Sequence, residues 1–428
     1  MSLARLAWAS LLNRRLTAGL AILAIAMSVA LLLSVEKIRR DARTSFGNTI
    51  SDVDLVVGAR SGAIQLLLYS VFRIGDATNN VSWESYEEII ARPEVRWAVP
   101  LSLGDSHRGF RVLGTDASYF EHYRHGDGRA LRFATADPST QGPGVNPFAD
   151  LFDAVLGSEV ARTLGYSVGD PIVVSHGTGR VGLVNHDDQP FRVAGILMPT
   201  GTPVDRTVHV SLEGIEAMHV DWSRGAPVPG QTTSPETLRA TELQPRAVTA
   251  FMLGLDSPRS VLRVQRSIND YTDEPLLAVL PGVALRELWN LVGVAERALL
   301  IVSSFVVVAA LVNLVSVLLA SLDARRREIA ILRASGARPA QVFTLLALEA
   351  GLLGLGGIAG GLALHYAVVL VGGFWFERRF GLAVGVTWPE ATDWAMLGTI
   401  LVSATVVGCL PAWRAYRRSL ADGMTVRV

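Results

Sequence analysis

The chain is poor in lysine and cysteine, because Lys37 and Cys409 are the only residues of these types among 428. One cysteine excludes an intramolecular disulfide and a zinc site built on cysteine pairs. A P-loop needs a lysine after a glycine-rich stretch, whereas Lys37 follows Val35 and Glu36. The chain is therefore not expected to bind and hydrolyse ATP itself, and we assign it no catalytic, cofactor-binding or metal-ligating residue.

Charge of one sign is not in excess either. Lys+Arg and Asp+Glu both number 39, so the formal net charge is zero and no overall basic field favours nucleic acid. Half of the residues are hydrophobic. This high share comes from a few long stretches that lack charged side chains.

Four such stretches lie at 16–35, 298–322, 340–376 and 394–413, and only Glu349 and His365 interrupt the third. A hydrocarbon core of ~30 Å requires ~20 apolar residues in helical form. We therefore predict four transmembrane helices. The first is interpreted as a retained anchor, because its apolar part is longer than a signal-peptide core of ~7–15 residues.

The predicted fold class is a membrane α-helical protein with an α+β extracytoplasmic domain between helix 1 and helix 2. The arginines of the short segments favour cytosolic termini, although Lys37, Arg39, Arg40 and Arg43 beyond the first span oppose this orientation. The predicted segments are an amphipathic cytosolic lead-in (1–15), four spans (16–36, 291–322, 340–376 and 393–413), the water-facing domain (37–290), a cytosolic helix (323–339), a short outer loop (377–392) and a cytosolic tail (414–428).

The large domain shows both strand-like and helix-like patterns. Loops rich in Pro, Gly, Ser and Thr at 134–148 and 224–237 could divide it into two lobes. We predict strands at 53–57, 110–113, 171–175, 191–197, 207–211 and 247–255, and helices at 83–91, 158–164, 212–218 and 257–269. The last helix is expected to begin with Ser257 as its N-cap and Pro258 in its first turn.

The segment 63–74 is unusually apolar for a domain that faces water. Either it is a buried helix or strand, or it forms a surface for an apolar substrate, a lipid or a partner. The second alternative would use Leu66, Leu67, Leu68, Tyr69 and Phe72.

Gly165 to Gly169 fits the pattern G-x-S-x-G of a hydrolase nucleophile elbow, with Ser167 as its serine. That elbow needs a strand before the serine and a helix after it, and the patterns here predict the reverse order. We therefore expect a helix C-cap at Gly165 and a turn at Gly169.

The segment 323–339 has the features of a short amphipathic helix between two spans. Gly336 fits the position that ends a helix with a positive φ, and Pro339 fits the first turn of the next helix. Together with 341–361 the segment closely resembles the FtsX-like permease family of ABC transporters, and so does 411–418 after the last span. The resemblance implies a coupling helix that docks on a separate ATPase. We expect its contacts to come from Arg325, Arg326, Arg327, Glu328, Arg333, Gly336 and Arg338.

A second resemblance lies at 156–170 and 191–197, which are similar to the periplasmic domain of macrolide-exporter and lipoprotein-release permeases. It implies a bacterial inner-membrane permease that transmits motion from a P-loop ATPase dimer to its periplasmic domain. It also implies a second permease copy, identical or paralogous, and a periplasmic carrier or adaptor. No cofactor is then expected in this chain, and ATP and Mg belong to the partner ATPase.

Two features of the third span add further predictions. Gly356, Gly357, Gly360 and Gly361 provide small-xxx-small spacings that permit close helix contact. Glu349 lies ~15 Å into the helix by rise, where a carboxylate is costly. It is either a hydrogen-bonded structural residue or a part of the coupling path.

Several functions stay open at this point. A permease could extract a lipid or lipoprotein, export a peptide or small molecule, or control a cell-wall enzyme. The alternative is a membrane receptor or scaffold that regulates a periplasmic partner without transport. A membrane-tethered hydrolase would depend entirely on the reversed G-x-S-x-G pattern.

Overall fold

The structure is a computed structural model of the chain. It describes residues 3–47, 49–137, 146–177, 184–185, 189–223, 226–227, 233–324, 326–380 and 386–417. The chain divides into two compact units. The helical unit comprises Met1–Asp41 and Gly293–Val428, and the sheet unit comprises Ala42–Val292.

The described helices are four long ones, accompanied by shorter ones. In chain order they are α1 (Leu3–Asn13), α2 (Arg15–Gly47), α3 (Ala63–Ser70), α4 (Trp83–Ile90), α5 (Ala117–His122), α6 (Ser158–Leu164), α7 (Leu212–His219), α8 (Pro235–Ala240), α9 (Val261–Asn269), α10 (Pro281–Ala324), α11 (Arg326–Ala334), α12 (Pro339–Phe380) and α13 (Ala391–Arg417). The four long helices are α2, α10, α12 and α13.

The strands belong to the sheet unit. They are β1 (Leu55–Ala59), β2 (Val81–Ser82), β3 (Val95–His107), β4 (Phe110–Thr115), β5 (Arg124–His125), β6 (Arg129–Ala130), β7 (Phe133–Ala136), β8 (Asp153–Leu156), β9 (Pro171–Ile172), β10 (Ser175–His176), β11 (Val184–Asn185), β12 (Phe191–Leu197), β13 (Thr207–Ser211), β14 (Trp222–Ser223), β15 (Ala226–Pro227), β16 (Ala247–Val248), β17 (Ala250–Leu255) and β18 (Leu276–Val279).

Among the described residues, four helices are long and apolar enough to cross a membrane, in agreement with the four predicted spans. These stretches are Arg15–Thr44, Pro281–Leu322, Pro339–Gly373 and Ala391–Trp413. The helices α2 and α10 both continue beyond the uncharged stretches that predicted them. An uncharged stretch marks only the part suited to hydrocarbon, whereas a helix continues through polar residues whose propensity permits it.

One large sheet organises the sheet unit, with the strand order β18-β1-β17-β3-β4-β13-β8-β12-β7. Most pairs on this path are antiparallel, and β4–β13 and β8–β12 are parallel. The long strand β3 pairs with β17 through its first half and with β4 through its second half. A single strand thus connects the two halves of the sheet, and this mixture of strands and short helices is an α+β architecture.

The apolar segment at 63–74 forms α3 and the turn that follows it. Leu66, Leu67, Tyr69 and Phe72 are at most 5% exposed and belong to one hydrophobic cluster with residues of both sheet halves. A cargo surface built on these four side chains is therefore wrong for this structure, because they stabilise the core instead of facing water. Only Leu68 of the proposed set is partly exposed.

The local predictions differ in how well they match the structure. The strands at 191–197 and 207–211 and the helix at 158–164 are confirmed. The start of α9 was predicted wrongly: its N-cap is Ser260, because Ser260 folds back to donate to the Ser257 carbonyl through both N–H and hydroxyl. The loop predicted at 134–148 begins with strand residues of β7, and 138–145 lie outside the described residues.

Candidate functional site

The helix α11 lies between α10 and α12, and specific bonds define where it ends. Gly336 has φ +100°, its N–H donates to the Arg333 carbonyl at 3.1 Å, and the Ala337 N–H donates to the Leu332 carbonyl at 3.0 Å. This pair of bonds is a Schellman motif, so the C-terminal carbonyls of α11 are satisfied as the glycine predicted.

The start of the next helix, α12, is also capped by residues next to it in the chain. Pro339 is the first residue of α12, and the Gln341 side chain accepts from the Arg338 N–H at 2.9 Å. The reach of a third-position glutamine back to the N-cap resembles half of a capping box. The turn between α11 and α12 is therefore closed from both sides, which fixes the direction of α11.

The predicted coupling side chains have unequal positions. Glu328 and Arg338 are exposed and Arg333 is partly buried, whereas Arg325 and the side chains of Arg326 and Arg327 lie outside the described residues. The apolar side chains of α11 lie in two different environments. Ile329 packs against a cluster of α10, α12 and α13 residues, while Ile331 is 67% exposed. A charged and apolar surface is thus available for a partner.

The glycines of α12 face α2 at very short range. A Cβ at Gly357 would lie 2.4 Å from Ile25 Cγ2, and one at Gly361 would lie 2.6 Å from Val29 Cβ. Gly360 approaches Ala26 in the same way, and Gly356 approaches Ile22. Only glycine permits this distance between the two helix backbones, as the small-xxx-small spacing indicates.

Glu349 lies on α12 near the point where that helix packs against α13. Its side chain is almost fully buried, at 2% exposure, and the neighbouring Ala350 would contact a Cβ at Gly408 of α13. A buried carboxylate needs a polar partner, because its desolvation is otherwise costly. The position is compatible with both predicted roles, a hydrogen-bonded structural residue or a part of the coupling path.

A cluster of charged side chains at the far end of α2 was not recognised in the sequence. Arg40 makes ion pairs of 2.7 Å with Glu390 and with Asp393, at the start of α13. Lys37 lies 2.9 Å from Asp41 and donates to the Thr387 hydroxyl at 3.2 Å.

This cluster explains how basic residues can follow an apolar span without remaining isolated. Lys37 and Asp393 are each 8% exposed, so their charges are compensated inside the helical unit. The sequence offered one signal, the basic residues themselves, but Asp393, a partner of Arg40, and Thr387, a partner of Lys37, lie about 350 positions away in the chain. The arrangement can hold α2 and α13 together, and it can release them if the pairs break.

The reversed G-x-S-x-G segment has the geometry of a turn. Gly165 ends α6 with φ +74°, Gly169 has φ +97°, and the Ser167 N–H donates to the Asp170 carboxylate at 2.7 Å. The helix precedes the serine and β9 follows it, so the elbow context is missing.

Two histidines of the sheet unit, His209 and His107, are buried. Burial, assisted by the positive charge of Arg73, lowers the pKa of His209 to about 3. Burial also lowers the pKa of His107, whose ring contacts the Val173 carbonyl and the Tyr166 hydroxyl. Across the described ranges, no group of three His, Cys, Asp or Glu side chains could hold a metal ion.

Comparisons with known proteins match both units. The family model for the MacB-like periplasmic core domain matches residues 18–271. The model for the FtsX-like permease C-terminal region matches residues 300–420, which include α11, α12 and α13. No curated protein sequence matches the chain.

Two solved structures are similar to the chain at low identity. The periplasmic region of MacB from Actinobacillus actinomycetemcomitans covers 57% of this chain and 95% of its own, at 9% identity and a TM-score of 0.33. The extracellular domain of the noncanonic ABC-type transporter YknZ from Gram-positive bacteria covers 47% of this chain and 89% of its own, at 12% identity and a TM-score of 0.27.

Proposed function

Because the chain belongs to the FtsX-like permease family of ABC transporters and has a MacB-like periplasmic core domain, we propose that it transmits mechanical motion as a permease subunit. A separate ABC ATPase would hydrolyse ATP, and this chain would convert its closure into movement of the periplasmic domain. The cargo would be a lipid-like molecule, a lipoprotein, a peptide or a small molecule that is exported or extracted.

The length of α2 and α10 is the observation that carries this proposal. They contain 33 and 44 residues. At ~1.5 Å per residue they are about 50 Å and about 66 Å long, whereas the hydrocarbon core is ~30 Å thick. Each helix therefore has a water-facing extension of roughly 20 Å or more. A continuous helix can transmit displacement from the membrane to the domain that lies between α2 and α10 in the chain.

The drive point of this motion would be α11. The C-terminal end of α11 is fixed by the Schellman motif at Gly336 and by the capped start of α12, so a push on α11 would be transmitted directly to α12. We propose that Arg325, Arg326, Arg327, Glu328, Arg333 and Arg338 contact the ATPase. Exposed ion pairs contribute ~0.2–1 kcal/mol each, so several must act together.

The assembly would contain two ATPase subunits and a second permease copy, which is either identical or paralogous. We place it in the bacterial inner membrane with both termini cytosolic and the sheet unit periplasmic. The basic residues at 325–327 favour that orientation under the positive-inside rule. A periplasmic carrier or adaptor would receive the cargo.

Co-purification tests the ATPase partnership. The double variant Arg327→Glu/Glu328→Arg reverses two charges of α11 and keeps the net charge. We expect the ATPase to remain bound to the wild type and to be lost from this variant. The control reverses Glu94 and Arg263, an ion pair 3.4 Å apart in the sheet unit in which Arg263 is exposed and Glu94 half-buried, and should retain the ATPase. Equal retention in all three proteins would argue against α11 as the docking element.

A proline in α10 tests the transmission. Val292→Pro removes a helical hydrogen bond and kinks the helix, whereas Val292→Ala preserves it. Spin labels at Arg259→Cys, in a Cys409→Ser background, report the distance between the two copies of the sheet unit. We expect an ATP-dependent change of that distance in Val292→Ala and none in Val292→Pro, with ATP hydrolysis retained in both. Movement that survives the proline would refute the transmission through α10.

A further inference from the structure

A cavity of about 700 Å³ lies in the helical unit at the N-terminal end of α2. Its volume falls in the range of ligand sites, ~300–1,000 Å³. One wall is the junction of α1 and α2, and the other is one side of α10. The lining residues are Asn13, Arg14, Arg15, Leu16, Thr17, Ser316, Val317, Ala320 and Ser321.

Two local features create the cavity. The helix breaks at Arg14, which lies between the end of α1 and the start of α2 and donates to the Ser321 carbonyl at 3.0 Å. The facing surface of α10 carries small side chains, Ser316 and Ala320, one turn apart. A larger side chain at either position would fill the space between the helices.

The polarity of the lining is arranged in two zones. The hydroxyl groups of Thr17, Ser316 and Ser321 donate to carbonyl groups of their own helices or helix junction, at 3.0–3.1 Å. Their donors are therefore used locally, and the wall they share with Leu16 and Val317 is mainly apolar. The guanidinium groups at the α1–α2 junction form the charged zone.

The charged side chains among the described lining residues are basic. Arg14 and Arg15 both line the cavity, and none of the described residues that line it is acidic. Leu16, which directly follows them, is 81% exposed and begins the apolar stretch of the first span. Cationic and apolar surfaces thus meet at the start of the apolar stretch, an arrangement suited to a phospholipid, whose charged headgroup adjoins its acyl chains.

We propose that this cavity binds an anionic phospholipid, with its phosphate at Arg14 and Arg15 and an acyl chain along Leu16, Val317 and Ala320. Basic pockets between spans recognise the headgroups of such lipids. The assignment to the cytosolic leaflet rests on the orientation in the proposed function, whereas the binding itself does not. A bound lipid would fill the gap between α2 and α10 and so stabilise the two helices that flank the sheet unit in the chain.

Native mass spectrometry of the detergent-purified full chain tests this proposal. Phosphatidylglycerol is titrated against phosphatidylcholine with the same acyl chains. We expect the wild type to bind the anionic lipid at least tenfold more tightly. Arg14→Gln/Arg15→Gln should lose this preference, and Ala320→Trp should lose most of the binding because it fills the apolar zone. Arg5→Gln, on α1 and outside the cavity lining, removes one positive charge; it is the control for the single variant Arg15→Gln and should bind like the wild type.

Several outcomes would overturn the proposal. Equal binding of both lipids to the wild type would refute the proposed headgroup contact. Unchanged lipid binding to Ala320→Trp would refute the proposed acyl-chain contact. Competition by glycerol 3-phosphate would indicate a site for free phosphate groups instead of lipid. If the double arginine variant does not fold, Arg15→Gln alone and Ala320→Trp decide, because neither removes the bond from Arg14 to Ser321.

The same preparations keep this result separate from the proposed function. ATPase co-purification is measured alongside lipid binding. A chain that retains the ATPase but shows no lipid preference refutes the lipid site alone. A chain that binds the lipid but never the ATPase refutes the permease assignment alone. A change of oligomeric state in Ala320→Trp, with lipid binding unchanged, would assign the cavity to contact between copies.

Discussion

Replacing Gly357 by alanine should loosen the contact between α12 and α2. The new Cβ would lie 2.4 Å from Ile25 Cγ2 and 2.5 Å from Ile25 Cβ, and Ile25 itself is 1% exposed. Carbon atoms at their best separation are ~3.5–4.0 Å apart, so the two helices must separate by about 1 Å. Overpacking of this kind costs ~1–3 kcal/mol.

A control substitution isolates that packing cost. Gly398→Ala on α13 places its Cβ where nothing lies within 4 Å. Both substitutions gain the same helix propensity, up to ~1 kcal/mol, because both glycines lie inside helices. The difference between the two variants therefore measures packing alone, and we expect about 1–3 kcal/mol.

The assay is unfolding in mixed micelles with increasing SDS, followed by far-UV circular dichroism. The free energy of unfolding of Gly357→Ala should be lower than that of Gly398→Ala by the amount above. Gly361→Ala should behave like Gly357→Ala, because its Cβ would lie 2.6 Å from Val29 Cβ and 2.9 Å from the Ala26 carbonyl oxygen. Equal stability of the Gly357 and Gly398 variants would refute the close approach of α12 to α2.

Four further changes test other parts of the molecule. Arg40→Ala should cost ~1–3 kcal/mol in the same SDS assay, because it leaves the buried Asp393 without its cation, and Asp393→Asn should remove most of that cost in a double-mutant cycle. His209 has a pKa of about 3, below its ordinary 6.5, so the unfolded chain binds a proton first as the pH falls. Its burial should therefore cost about 2 kcal/mol of stability between pH 6.5 and pH 5, and unfolding of His209→Gln should depend less on pH over that range. Glu349→Ala should lose ~1–3 kcal/mol because it removes the interactions of a buried carboxylate, while normal ATPase stimulation and transport in Glu349→Gln would exclude the carboxylate from coupling. Ser167→Ala should leave ATPase stimulation and transport unchanged. A variant that folds but is inactive would reopen the hydrolase hypothesis.

Features that depend on neighbours in the chain could be predicted. The C-terminal end of α11 follows from Gly336 and the start of α12 from Pro339, because a positive φ and a missing N–H act within one helical turn. The four spans follow from uncharged length, since the bilayer imposes one thickness on every helix that crosses it. The turn at Gly165 and Gly169 belongs to the same class.

Features that depend on residues distant in the chain could not be predicted from the sequence. The hydrophobicity of Leu67 and Phe72 is equally suited to a core and to a cargo surface, and only the sheet packed on them decides for the core. The basic residues after the first span opposed the predicted orientation. The ion pairs that one of them, Arg40, makes at the start of α13 are seen only in the tertiary structure.

By itself, the sequence determined that this is a four-span membrane protein without a P-loop, and that a capped helix separates its second and third spans. Only the tertiary structure decided how far α2 and α10 extend past their apolar stretches, which side chains of α3 are buried, and where a basic cavity lies beside Leu16. The physical reason is range. Helix caps and the apolar length of a span are properties of one continuous segment. Burial, ion pairing and cavities arise between segments that can be separated in the sequence by hundreds of positions.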